Sequence, residues 1–155
     1  MKILLATDGS EQSKLLASEI ALRSRPRNAE IRVISVVDPS VPVAFPGEIG
    51  DSVLYEEMQK TARDRARAAV RRAAAYLRGS KGSKLKVATK VLDGSPKSVI
   101  LEEAEAFGAD LIVLGSHGHG LIEGLLLGSV SQAVASHAKC SVLIVRSRAW
   151  QPPSR

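Results

Sequence analysis

The chain has 155 residues and a single cysteine, Cys140, so it suits one domain that folds around its core without disulfide bonds. Hydrophobic residues make up 45% of the chain and aromatic residues only 3%, which favours an aliphatic α/β core over an all-β sandwich. The formal net charge is +6, no apolar run approaches the roughly 20 residues of a membrane-spanning helix, and no secretory signal is apparent. We therefore expect a cytoplasmic protein.

The first half of the chain predicts two strands separated by a helix. A buried strand is expected from Lys2 to Thr7, a helix from Ser10 to Arg23 and a second strand from Ile31 to Val37. The segment from Asp38 to Gly50 holds three prolines and is predicted to be a long loop, of a length that often has a functional role.

A long helix and an edge strand are predicted next. The helical pattern from Asp51 to Arg78 is rich in Ala and Arg and ends at Gly79. Beyond it, apolar residues alternate with lysines, which indicates a half-exposed edge strand; these apolar and β-branched positions are Leu85, Val87, Thr89 and Val91. A third helix should begin at Ser95-Pro96, stop at Gly108 and bury four residues, Val99, Ile100, Ala104 and Phe107.

The last elements surround a glycine-containing segment. The run from Ala109 to Leu114 predicts a strand buried on both faces, and Gly115 ends it. Residues 128–137 show helical spacing of Val130, Ala133, Val134 and His137, with Ser129 as the candidate N-cap. A fifth strand is predicted from Ser141 to Arg146, with Cys140 buried before it. Strands and helices in alternation indicate a doubly wound parallel sheet, with helices on both faces in the Rossmann-like manner.

The segment between the fourth strand and the last helix has the chemistry of a phosphate site. The first amides of a helix have no intrahelical partners, and the macrodipole places partial positive charge there. Gly115, Gly118 and Gly128 would let the backbone approach a ligand closely, and Ser129 adds a hydroxyl donor. A loop whose glycines serve only turns is the alternative.

The spacing of this segment distinguishes it from two common phosphate loops. No Gly-Lys-Ser/Thr occurs in the chain, and the GxGxxG pattern fails because Glu123 follows Gly118 and Gly120. The arrangement is G-x2-G-x9-G-S, from Gly115 to Ser129. Together with Ala6-Thr7-Asp8-Gly9-Ser10 it closely resembles the ATP-binding branch of the universal stress protein family, and the resemblance extends over nearly the whole chain.

This resemblance implies a strand order of 3-2-1-4-5, so that the first and fourth strands are neighbours. It also implies a cofactor, ATP with Mg²⁺, and a set of nucleotide-binding residues: Ala6, Thr7, Asp8, Val36, Leu114, Gly115, His117, Gly118, Gly128, Ser129 and Val130. Asp8 would contact the ribose or a nucleotide-bound Mg²⁺. Ala6 departs from one well-known form of the family, which has proline near the adenine.

Several polar and apolar residues also suit purely structural roles. Asp8 is equally suited to cap the first helix, and burial alone would explain Val36 and Leu114. His117, His119 and His137 lack the further Cys or carboxylate ligands expected of a metal site, so we assign them no metal. The eleven Lys and Arg residues between 60 and 90 face a single acid, Asp64, which favours a solvated helix face and a protected edge strand over a nucleic-acid site.

We therefore predict one domain over residues 1–147, followed by a tail over 148–155. The predicted function is that of a cytoplasmic ATP-binding regulatory or stress-response module with little or slow hydrolysis. The alternative is a slow ATPase or a phosphoryl or nucleotidyl transferase, so the question of enzymatic activity stays open. A lesser alternative is binding of nucleic acid or of an acidic partner through residues 60–90. The expected partners are an adenine nucleotide, a second copy paired through the C-terminal strand as a homodimer, and a protein that the sequence does not identify; no membrane partner is expected.

Overall fold

The computed structural model describes residues 1–10, 16–20, 29–39, 52–79, 85–116 and 127–146. Five strands lie within them: β1 (Lys2–Ala6), β2 (Glu30–Val37), β3 (Lys86–Asp93), β4 (Leu111–Gly115) and β5 (Ser141–Val145). The described helices are α1 (residues 16–20), α2 (Ser52–Gly79), α3 (Pro96–Phe107) and α4 (Ser129–His137). The end of the predicted loop, from residue 40, and the tail lie outside the described residues.

All five strands are parallel, in the order β3-β2-β1-β4-β5, which confirms the predicted fold. β1 is central and pairs Leu5 with Val33 of β2 and with Val113 of β4. These three side chains are fully buried, because helices cover both faces of a parallel sheet. The two edges are β3 and β5, as predicted.

Alternate residues of each strand enter two separate cores. Ile3 and Leu5 pack with α1 and α2 on one face of the sheet, in a cluster that includes Leu77. Leu4 packs with α3 and α4 on the other face, in a cluster that includes Val134. The period-2 alternation of the strand thus divides one short apolar sequence between two helical layers.

Helix α3 has the predicted start and end. Ser95 is its N-cap residue, although its hydroxyl makes no capping bond, and Pro96 follows at the first position. Gly108 ends the helix in the left-handed conformation, with φ 66° and ψ 46°, and its N–H donates to the Ala104 and Glu105 carbonyls. Of the four predicted inward residues, three are buried and Val99 is half-buried.

An ionic cluster joins α3 to the sheet through Glu103, which the sequence analysis did not single out. The Glu103 carboxylate accepts hydrogen bonds from Arg32 of β2 at 2.6 Å and from Lys90 of β3 at 2.9 Å. The Arg32 guanidinium also lies 4.0 Å from the centroid of the Phe107 ring. Burial raises the pKa of Glu103, but the hydrogen bonds and charges of Lys90 and Arg32 outweigh it and leave that pKa below its ordinary value.

The amino-terminal end of the sheet is closed by hydrogen bonds between β1 and the segment before β4. The Lys2 N–H donates to the Asp110 carboxylate at 2.7 Å, and the Asp110 N–H donates to the Lys2 carbonyl at 2.8 Å. The Lys2 ammonium donates to the Phe107 carbonyl at 3.1 Å.

Near this end, Cys140 is half-buried rather than buried, because it precedes an edge strand. Burial and the charge of Asp110 raise the pKa of its thiol.

Candidate functional site

The carboxyl ends of β1, β2 and β4 bring the predicted site residues to one edge of the sheet. Ala6 pairs with Ile34, and the Thr7 N–H continues this ladder by donating to the Ile34 carbonyl at 2.9 Å. The same register places Asp8 level with Val36 of β2. On the other side Leu5 pairs with Val113, so two further residues along each strand bring Thr7 level with Gly115. The predicted neighbours therefore meet, with Asp8 one residue beyond Gly115.

Asp8 forms the first turn after β1. Its carboxylate accepts a hydrogen bond from the Ser10 N–H at 3.0 Å, which forms an Asx turn over residues 8–10. The buried Thr7 hydroxyl accepts from the Gly9 N–H at 3.2 Å. The start of the first helix lies outside the described residues, so the capping role weighed in the sequence analysis stays a prediction, and the exposed position of Asp8 places its carboxylate at the surface.

Gly9 lies where β1 turns beneath α2. Its φ is +83°, in the left-handed region that residues with a Cβ rarely adopt. A Cβ at this position would stand 3.0 Å from Ala69 Cβ and 3.8 Å from the Arg72 guanidinium. Close packing of α2 therefore requires glycine here, and it brings a cationic side chain to the end of β1.

Helix α4 begins at the same edge, and its N-cap is Gly128 rather than the predicted Ser129. Gly128 has φ −60° and ψ 153°, an extended conformation that places Ser129 inside the first turn. Glycine has no side chain to cap the helix, so the first amides are not satisfied from the N-cap position. The Ser129 side chain is exposed beside them, which makes this helix end a suitable position for an anion.

Three hydrogen bonds fix the end of β4 against α4 and β5. The Ser131 hydroxyl donates to the Gly115 carbonyl at 2.6 Å, and the Gly128 N–H donates to the Ser116 carbonyl at 2.8 Å. The Ser116 N–H donates to the Val145 carbonyl of β5 at 3.0 Å. Ser116 and Ser131 are both buried. Hydrogen bonds within the chain therefore hold this helix end against β4.

The apolar members of the predicted site lie beneath this edge. Ala6 and Leu114 are buried and Val36 is half-buried, all three packed in or against the core on the α3 and α4 face. Val130 is half-buried against the same core. Core packing thus accounts for much of their burial, as the alternative in the sequence analysis held.

The remaining predictions differ in their outcome. His117 and Gly118 lie outside the described residues. His137, which shares the predicted helical spacing with Val130, is the last residue of α4 and is exposed; its ring bonds the Ala133 carbonyl at 2.8 Å. Among the residues that the structure describes, no group of three His, Cys, Asp or Glu side chains could hold a metal ion.

Two side chains at this edge were missed by the sequence analysis. Arg72 belongs to the basic region between 60 and 90, and only the packing of α2 on Gly9 brings it to the end of β1. Ser131 looks like an ordinary helix residue. Its position, two residues after the predicted helix start at Ser129, is the one signal in the sequence that its hydroxyl could bond the end of the preceding strand. Neither position is apparent from a motif.

Comparison with known proteins places the chain among relatives of similar length. A sequence model of the universal stress protein family matches residues 1–146. A universal stress protein from Methanocaldococcus jannaschii is 37% identical over 145 residues, which cover 94% of this chain and 81% of that protein. The match therefore includes every strand and helix described above.

Two solved structures share the fold. A universal stress protein in complex with cAMP is 25% identical and superposes with a TM-score of 0.68 over 96% of this chain and 98% of that one. A protein of the same family from Arabidopsis thaliana, with AMP bound, is 18% identical, with a TM-score of 0.63 over 96% of this chain and 93% of that one. Both share the architecture that brings β1, β4 and α4 together.

Proposed function

The chain belongs to the universal stress protein family, and on that premise we propose that it is a cytoplasmic ATP-binding regulatory or stress-response module. The observation that carries the proposal is the N-terminus of α4, which begins at Ser129 after a glycine N-cap and is hydrogen-bonded to the end of β4. Helix amides held at the carboxyl edge of a parallel sheet are suited to phosphate groups. The relatives with cAMP and AMP bound support an adenine nucleotide as the ligand.

In this proposal the nucleotide lies across the carboxyl ends of β1 and β4. The phosphates occupy the N-terminus of α4, beside Gly128, Ser129 and Val130, with Gly115, His117 and Gly118 of the same motif around them. The adenine lies against the strand ends at Ala6, Val36 and Leu114, which offer it mainly backbone because their side chains pack into the core, with Thr7 at the end of β1. Asp8 binds the ribose or a Mg²⁺ ion carried by the nucleotide, for which a carboxylate oxygen is a suitable ligand.

We expect binding with little or slow hydrolysis. Phosphoryl transfer requires a positioned nucleophile and cationic groups close to the transferring phosphoryl, and the sequence from His117 to Gln132 contains no Lys or Arg. Arg72 offers a guanidinium at the end of β1, which suits a contact with an anionic ligand. A slow ATPase or transferase is the alternative, and turnover of about 10 s⁻¹, an ordinary enzyme rate, would contradict a function limited to binding.

The test is calorimetric titration of MgATP into protein from which any co-purified nucleotide has been removed. Ser129→Glu places a negative charge in the first turn of α4, where it stabilises the helix but repels a phosphate. We expect saturable binding by the wild type and at least about tenfold weaker binding by this variant, equivalent to about 1.4 kcal/mol.

Ser136→Glu is the matched control, because it adds the same charge at an exposed position of the same helix, about 10 Å further along its axis. It should bind MgATP nearly as the wild type does. Equal binding by wild type and Ser129→Glu would contradict the proposed phosphate position, and no binding by folded, nucleotide-free wild type would contradict the proposed function.

We also propose a homodimer formed through β5. β5 is an edge strand, and four of its five side chains are half-buried. An edge strand leaves backbone groups unpaired, and a second copy can satisfy them. Sedimentation at micromolar concentration should give twice the mass of the chain, whereas the mass of one chain would contradict this assembly.

A further inference from the structure

A row of cationic side chains follows β3, the edge strand on the side of the sheet opposite β5. We define the basic stripe as five residues of α2: Lys60, Arg63, Arg67, Arg71 and Arg78. With 3.6 residues per turn they lie within about 80° of one another around the helix axis. All five are exposed, so their charges face the solvent on one side of α2.

Two contacts fix the basic stripe along β3. The Arg63 guanidinium lies 3.2 Å from the carboxylate of Asp93, the last residue of β3. The Arg78 guanidinium donates to the carbonyl of Val87, near the start of β3, at 2.7 Å. Fifteen helical residues span about 22 Å, close to the roughly 26 Å of an eight-residue strand. The stripe therefore runs the length of this edge.

The outer side of β3 presents backbone groups in a regular row. The register from Lys86 to Asp93 is continuous, and the Lys86 and Gly94 N–H groups donate inward to β2. Even-numbered residues therefore bond β2, and the N–H and C=O groups of Thr89 and Val91 point outward. Within the described chain no hydrogen bond is made by these outward groups, whereas the outward carbonyl of Val87 is bonded to Arg78.

The charge beside this row selects what can pair with it. Arg67 has Asp64 at 3.3 Å, but Arg71, beside the middle of the strand, makes no ion pair with another described residue. Lys86 is exposed at the start of the strand. A second copy of the chain would bring an identical stripe against this one, and like charges disfavour that pairing. The complementary occupant carries negative charge.

We propose that the β3 edge binds an extended acidic peptide segment of a partner protein, which adds a sixth strand to the sheet. Outward N–H and C=O groups two residues apart match a peptide backbone, and acidic side chains on alternate positions would face Arg67 and Arg71. A nucleic-acid strand would use the charge but not the backbone row. The exposed Tyr55 lines a pocket with Lys60, Arg63 and Arg67, but β3 itself contains no aromatic residue on which bases stack.

The probe is a fluorescently labelled octapeptide of alternating Glu and Thr, titrated into the full chain, with an alternating Lys-Thr octapeptide and octauridylate for comparison. We expect saturable binding of the acidic peptide that weakens with salt. Arg71→Glu should weaken it about tenfold. Arg65→Glu, an equally exposed change on another side of α2, should leave it within about twofold.

Thr89→Pro separates strand addition from simple charge attraction. Proline removes an outward N–H without a loss of bonding to β2, which edge strands tolerate, and Thr89→Val retains that N–H. We expect about fivefold weaker peptide binding by Thr89→Pro, from one lost hydrogen bond, and nearly unchanged binding by Thr89→Val. Hydrogen exchange of the wild type should show the Val91 amide protected only when the peptide is bound.

Three results would overturn the proposal. One is absence of binding by the acidic peptide. Another is equal peptide binding by Thr89→Pro and Thr89→Val together with an unprotected Val91 amide, which would indicate attraction by charge alone. The third is octauridylate binding as tight as that of the peptide and insensitive to Thr89→Pro, which would indicate a nucleic-acid surface. The exchange measurement uses the wild type, so the test does not depend on the folding of the proline variant.

Discussion

The ionic cluster on α3 and the carboxyl edge of the sheet use polar groups in opposite ways. In the cluster, the Glu103 carboxylate is almost enclosed, with 8% of its side chain exposed, and its partners Arg32 and Lys90 come from neighbouring strands. At the carboxyl edge, Asp8 is exposed and the first turn of α4 follows a glycine N-cap. Strand β2 passes through both regions, with Arg32 in the cluster and Val36 at the carboxyl edge.

This difference between the two regions suggests that the cluster contributes to stability and the carboxyl edge to ligand recognition. Polar groups that find partners inside the chain contribute to its stability, and removal of the buried Glu103 carboxylate leaves the partly exposed Arg32 and Lys90 without a counterion. Polar groups at the ends of rigid elements are held in place and remain accessible to a ligand. Changes in the cluster should therefore alter the free energy of unfolding, whereas charge changes at the carboxyl edge should mainly alter affinity.

The largest effect is expected from Glu103→Ala. This change leaves Arg32 and Lys90 without their carboxylate, and we expect the free energy of unfolding to fall by about 2 kcal/mol. MgATP affinity, measured where the variant is folded, should stay near that of the wild type. Urea unfolding checks the first expectation and calorimetry the second.

Glu102→Ala is the control for this change, because Glu102 is the preceding residue of α3 and is exposed. Its free energy of unfolding should stay within about 0.5 kcal/mol of the wild type. Equal losses in the two variants would show that the cluster contributes no more to stability than a surface carboxylate does.

A somewhat smaller effect is expected from Gly9→Ala, at the carboxyl edge itself. The positive φ and the 3.0 Å approach of a Cβ to Ala69 predict a loss of about 1–2 kcal/mol. Gly79→Ala is the matched control, since a Cβ there would meet nothing within 4 Å. Thermal unfolding of both variants checks this, and equal stability of the two would contradict the strain assigned to Gly9. Gly9 belongs to both sides of the comparison between stability and recognition, because it allows α2 to pack and also shapes the carboxyl edge.

The pH dependence of stability gives a smaller effect. The pKa of Glu103 is lowered from 4.5 in the folded chain, so its ionised form stabilises the fold above that value, and this contribution is lost as the pH falls through the folded pKa. Between about pH 5 and pH 3 the free energy of unfolding should fall less steeply in Glu103→Gln than in the wild type. Parallel urea series at several pH values measure the two slopes, and identical slopes would contradict the assignment.

Much of the fold follows from local patterns in the sequence. The predicted helix from Asp51 to Arg78 and the observed Ser52–Gly79 differ by one residue at each end, because a continuous helical pattern ends at glycine. The strand positions follow from short apolar runs and, for β3, from apolar residues that alternate with lysines, while the strand order came from the family resemblance. The N-cap of α4 was placed one residue late because Ser and Gly are both frequent at that position.

The contacts between distant residues could not be predicted. Glu103 lies 71 residues from Arg32 in the sequence, and a glutamate in an amphipathic helix gives no sign of burial. For the same reason the approach of Arg72 to Gly9 follows only from how α2 packs on the sheet. The glycine motif could be proposed as a phosphate site because its residues are close together in sequence, whereas the cluster was missed because its residues meet only in the fold.

Arg72→Gln offers the finest test of the comparison, since Arg72 belongs to a structural helix and reaches the carboxyl edge. If its guanidinium acts on the nucleotide, MgATP affinity should fall about two- to fivefold, as expected for one exposed charge. Arg71→Gln removes the same charge from the neighbouring position, about 100° around the helix axis, and should change the affinity less. The two variants should be equally stable, because both side chains are exposed. Equal affinities in calorimetry would confine Arg72 to a general surface role and leave the amides of α4 as the main attraction for the phosphates.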